Sequence, residues 1–79
     1  MQEVYYRAEI NGKYEVGAPT IKELIRLLDA YVYYGAQCYI KKFDKDGEHN
    51  VIARHPNGFD TSLVISQNNY EYYKKYYNL

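Results

Sequence analysis

Seventy-nine residues set the expectation of one small domain, 1–79, because a chain this short buries only roughly 60–65% of its unfolded surface and has room for one modest core. Ten basic side chains balance ten acidic ones, which excludes a polycation built to gather phosphate or anionic lipid and equally an acidic mimic of DNA. Cys38 is the lone cysteine, so no internal disulfide forms and no oxidising compartment is needed. No stretch approaches the roughly 20 apolar residues of a membrane span. The opening MQEVYYRAEI lacks a basic region followed by an apolar run, so a secretory signal is not expected and the expected location is cytoplasmic. Twelve tyrosines, frequent Lys, Asn and Ile, and no tryptophan suggest an AT-rich genome.

The first segment, EVYYRAEI, alternates like a strand, and NGKYEVG turns and continues it. A two-residue Asn11-Gly12 loop would put Tyr14 and Val16 on the face of Arg7 and Glu9. A three-residue loop from Ile10 to Gly12 instead pairs Glu9 with Lys13 and Arg7 with Glu15. That register gathers Val4, Tyr6, Ala8, Tyr14 and Val16 on one apolar face and is preferred, although it leaves Ile10 at the turn.

In GAPTIKELIRLLDAYVYYG, Thr20 and Glu23 form a capping box and Pro19 stands just outside the helix. Ile21, Leu24, Ile25, Leu28, Tyr31 and Val32 then follow the i, i+3, i+4, i+7 spacing of a core-facing stripe. Gly35 is placed to end the helix in a left-handed cap. Tyr33 falls in the polar face beside Asp29 and Arg26, and Tyr34 lies off the stripe against Leu27.

AQCYIKKFD, EHNVIAR and FDTSLVIS read as three strands joined by DKDG and HPNG turns. A loop of Pro56, Asn57 and Gly58 pairs His55 with Phe59 and Arg54 with Asp60. Val51 and Ala53 then share a face with Phe59, Thr61, Leu63 and Ile65, and a four-residue turn at Asp44 to Gly47 adds Cys38 and Ile40. The other side carries Tyr39, Lys41, Phe43, Ile52 and Val64. The last segment, NNYEYYKKYYNL, reads as a helix capped by Asn68 or Asn69. The expected fold is α+β in the order ββαβββα, an antiparallel sheet with two helices packed on one face.

On a helix, Tyr70, Tyr72, Tyr73, Tyr76 and Tyr77 sweep an arc of roughly 160°, while the lysines gather on a separate polar arc. A helix on a sheet buries a stripe of somewhat over 100°. Tyr73 and Tyr77 are therefore expected in the core and Tyr72 on the outward flank. Nucleic-acid binding wants cations interleaved with rings, so any such binding is expected to be weak. Tyrosine-rich surface without central lysine suits a protein interface, and Leu27, Tyr33, Tyr34, Phe43, Tyr72 and Tyr76 are its candidate contacts, a second copy of the chain included among the partners.

No CxxC, HxxxH or Ca²⁺-loop pattern joins Cys38, His49, His55, Asp44, Asp46 and Glu48, so neither a metal nor another cofactor is expected. The order αβββα from the first helix onward resembles double-stranded-RNA-binding domains and HicA-type ribonuclease toxins. In the toxins a glycine and a histidine precede an RHP-G turn, and GEHNVIARHPNG supplies Gly47, His49, Arg54, His55, Pro56 and Gly58. That resemblance implies RNA as substrate and His49 as the catalytic residue. The residues themselves favour a non-enzymatic protein-binding module with no catalytic site. Its size and composition suit a phage or mobile-element inhibitor or regulator of a host complex such as a defence nuclease, and an RNA binder or small ribonuclease toxin is the alternative.

Overall fold

The computed structural model describes residues 4–79. Strands β1 (Tyr5–Ile10) and β2 (Lys13–Ala18) form a hairpin, followed by helices α1 (Ile21–Leu27) and α2 (Asp29–Tyr33). Then come β3 (Cys38–Asp44), β4 (Gly47–Asn50), β5 (Ile52–Arg54), β6 (Asp60–Ser62) and β7 (Val64–Ile65), and α3 (Tyr70–Tyr76) follows. The fold is α+β with an antiparallel sheet, in outline the expected ββαβββα, with the first helix in two pieces and the later strands subdivided. Leu24, Ile25, Leu28 and Val32 from the helices, Ala8, Ile10, Cys38, Ile40 and Ile65 from the sheet, and Tyr73 from α3 make one buried core. Among the described residues no helix is long and apolar enough to cross a membrane.

The hairpin corrects both registers considered for it. Asn11 (φ 55°) and Gly12 (φ 80°) are both left-handed, so a two-residue turn closes Ile10 against Lys13 and Glu9 against Tyr14. The ladder then slips by one residue, and Ala8 pairs with Val16 and Tyr6 with Ala18. Glu15 is the extra residue of this bulge, which flips side-chain parity along β2. Ile10 thereby enters the core and Val16 packs against it, while Tyr14, expected inside, goes to the opposite face. Val4, also expected on the apolar face, is exposed.

Thr20 caps α1, its hydroxyl accepting the Glu23 amide at 3.2 Å. The helix tightens at Leu28 (φ −83°, ψ −5°), where the Tyr70 hydroxyl donates to the Asp29 carboxylate at 2.9 Å and lies 3.5 Å from the Ile25 carbonyl. Gly35 (φ 89°) ends α2 with its amide donating to the Val32 carbonyl and the Ala36 amide donating to that of Tyr31, the paired hydrogen bonds of a Schellman cap. Asn69 precedes α3, but its side chain ties the turn instead of capping the helix, accepting the Ser66 amide and donating to the Val64 carbonyl.

Both later turns have the expected register: Asp44 pairs with Gly47 and Arg54 with Asp60, and the His55 amide donates to Phe59 at 2.7 Å. The three-strand meander, however, is split. One edge of β3 belongs to β1; the other is shared, Lys41 to Asp44 pairing with β4 and Cys38 and Tyr39 with β7. At the junction Leu63 accepts from the Ile40 amide and donates to the Val51 carbonyl. The β5–β6 hairpin therefore leaves the main sheet as a two-stranded arm. Its free edge meets α3, where the Arg54 carbonyl accepts from the hydroxyls of Tyr72 (3.0 Å) and Tyr73 (3.2 Å). The Arg54 amide donates to the Tyr76 hydroxyl at 3.4 Å. Backbone groups at an edge need partners, and here phenols supply them.

Candidate functional site

The helices cover one face of the main sheet and leave the other open. Alternation along β1 and β3 sets Tyr5, Arg7 and Glu9 opposite Phe43, Lys41 and Tyr39 on the open face. The bulge adds Tyr14 from β2. Tyr5 and Phe43 stack with ring centres 5.4 Å apart and 14° between planes, and Tyr14 meets Phe43 edge-on at 5.5 Å. Arg7 Cζ lies 5.6 Å from the Tyr5 ring, 5.5 Å from Tyr14 and 5.7 Å from Phe43, within reach of cation–π attraction to all three. Glu48, across from Phe43 on β4, raises the Tyr14 phenol above its ordinary range, first by a hydrogen bond; burial and charge add to the shift and Arg7 opposes it. Lys41 is held by Asn50 at 2.8 Å and Glu48 at 3.6 Å.

Such a face offers apolar area, ring edges and guanidinium donors. Among the described residues no group of three or more His, Cys, Asp or Glu stands where it could hold a metal ion.

No family model, no curated protein and no solved structure matches the chain.

The six contact candidates from the sequence fall on separate surfaces. Phe43 is half-buried at the centre of the open-face cluster. Tyr33 and Tyr34 end α2, 74% and 84% exposed, and touch each other edge-on at 5.1 Å. Tyr34 also borders a shallow groove of about 520 Å³ together with Tyr31, Ile10 and Ala36. Leu27 is exposed but lines a different groove with Gly17, Ala18 and Pro19. Tyr72, expected outward, is half-buried because its hydroxyl reaches into the Arg54 edge. Tyr76 stays partly exposed beside it.

His49 is exposed on β4, with Nε2 3.0 Å from Asp44 Oδ1. That bond, then the Asp46 amide, holds the Asp44 carboxyl below its ordinary range. His55 instead stacks on Phe59 at 4.5 Å and accepts the Asn57 amide on Nδ1, a turn role. Cys38 is fully buried, and burial pushes its thiol up to about 11.

Tyr5, Arg7 and Tyr14 were absent from the sequence-derived site. The available signal was parity: Tyr5 and Arg7 alternate with the core residues Tyr6 and Ala8, and an apolar Ile10 at a turn hinted that the preferred loop was one residue too long.

Proposed function

We propose that the chain is a non-enzymatic binding module that docks on another protein through the open face of its sheet. One observation carries this reading: three aromatic rings and an arginine are gathered on the sheet face opposite the helix-covered core. Tyr and Arg are enriched among the residues that dominate interface energetics, and exposed aromatic surface on a small domain marks an interaction site. Tyr33 and Tyr34 supply a second contact area at the end of α2. The zero net charge and the tyrosine-rich composition support a cytoplasmic regulator from an AT-rich phage or mobile element that inhibits or redirects a host complex.

The test is affinity capture from the host with the wild type and with a Tyr14→Ala, Phe43→Ala double variant, circular dichroism verifying that both are folded. The partner should be retained by the first and lost by the second. Labelled RNA and DNA titrated at about 150 mM salt should bind no tighter than micromolar. Nanomolar binding there would replace this reading with a nucleic-acid one.

A second reading, a ribonuclease of the toxin type, draws on the Asp44–His49 hydrogen bond, since a carboxylate orients imidazoles that transfer protons. His49→Ala should leave function intact; loss of function with the fold unchanged would favour the nuclease.

A further inference from the structure

We infer that Arg7 is the anchor of the open face and takes a carboxylate, an aspartate or glutamate side chain on an extended segment of the partner protein. This rests on the reading of that face as a protein-docking surface and names the chemistry it recognises. The guanidinium is held in place, its Cζ 5.5 to 5.7 Å from three ring centres. A planar cation fixed among rings keeps its N–H fork in its own plane, the geometry that grips a carboxylate with two hydrogen bonds.

Among the described residues Arg7 is also without a hydrogen-bonded or ionic partner on its guanidinium. Glu9 shares its face, yet among the described residues no ion pair joins the two. Lys41, the neighbouring cation, is already occupied by Asn50 and Glu48.

Gly17 makes the seat. It pairs with Arg7 across the hairpin and has no left-handed φ to explain it. A Cβ there would stand 3.3 Å from the Tyr6 carbonyl oxygen and 3.4 Å from Arg7 Cγ. Glycine inside a strand weakens it and often marks close approach; here the Tyr6 carbonyl and the arginine stem together fill the space. Charge selects the occupant. A nucleic acid presents many phosphates and needs many cations, whereas this face has, among the described residues, one guanidinium without an ion pair, which matches a single carboxylate.

The test uses the ¹⁵N-labelled protein and four probes: a short peptide alternating Glu and Val, the same peptide with Gln for Glu, the same with Lys for Glu, and single-stranded oligouridine. The Glu peptide should move the Arg7 Nε–Hε signal and the Tyr14 and Phe43 ring signals saturably, and should bind about tenfold tighter than the Gln peptide. Arg7→Lys should remove that preference while sparing weak binding of both peptides, and Gly17→Ala, which crowds the stem without touching a ring, should reduce it. Equal binding of the Glu and Gln peptides at this face would overturn the carboxylate inference and leave protein docking standing. Preference for the Lys peptide, or no saturable shift with any probe, overturns it too. Tight oligouridine binding on the same signals, or their movement on dilution as a dimer separates, would overturn both readings.

Discussion

Tyr14 on β2 and Phe43 on β3 meet edge to face at 5.5 Å across the strand that lies between them. Neighbouring strands lie about 4.8 Å apart, so the two side chains lean together over β1, where Arg7 sits. The contact depends on the slip at Glu15, which turns Tyr14 to the open face while Val16 and Ala18 remain inside. Deleting Glu15 would join Tyr14 directly to Val16 and leave each observed pair of the hairpin in register. The deletion variant should therefore fold, with stability within about 1 kcal/mol of wild type in a urea melt, since a bulge adds a residue without adding pairs. Loss of cooperative unfolding would show that the bulge itself holds the hairpin.

Tyr73 separates ring from hydroxyl. It is 1% exposed and its hydroxyl donates to Arg54. Tyr73→Ala should cost about 3–5 kcal/mol, a large share of a small domain's stability. Tyr73→Phe should cost about 0.5–1 kcal/mol, because the Arg54 carbonyl keeps the Tyr72 hydroxyl. Tyr72→Ala should fall between these. Equal losses for the Phe and Ala variants, measured by chemical denaturation, would place the energy in the hydrogen bond.

Alkaline pH should unfold the protein through its buried phenols, Tyr70 and Tyr77 foremost, with Tyr73 raised by burial as well. Burial first, and then the Asp29 hydrogen bond, push Tyr70 up to about 12; burial first does the same for Tyr77. Their ordinary value is 10.0, so above it the unfolded chain releases protons that the folded chain retains. The stabilisation is complete below that value and is lost as pH rises toward the folded ones. Phenolate absorbance should show a late fraction, and Asp29→Asn should bring Tyr70 down while leaving Tyr77 late.

Cys38 should report on opening. Its thiol is fully buried and raised to about 11, and the thiolate is the reactive form. Ellman's reagent at neutral pH should react only as fast as the protein opens, and fully in denaturant. Rapid labelling of the folded protein would contradict the core.

The parts of the fold legible in the sequence were those set by local chemistry. The Thr20–Glu23 cap, the Gly35 stop and the registers of the turns at Asp44 and His55 each depend on residues within one turn of each other. Three features depended on distant partners. The bulge at Glu15 answers the need to bury Ile10 against α1 and α2, the break at Leu28 accompanies Tyr70 from the far end of the chain, and the departure of the β5–β6 arm needs the phenols of α3. For the same reason Phe43 was legible as an outward aromatic, whereas its grouping with Tyr5, Arg7 and Tyr14 followed only once the slipped register was known.

The phenols on Arg54 have a consequence for polymerisation. Exposed strand edges invite foreign strands to add on, the first step toward fibres. On β5 the Arg54 carbonyl and amide are already taken by Tyr72, Tyr73 and Tyr76, so at that residue an incoming strand finds no free backbone partner. Phosphorylation of Tyr72 would convert its donor into a bulky anion beside that carbonyl and uncover the edge. A chain with twelve tyrosines thus uses three of them to occupy the backbone groups of one strand-edge residue.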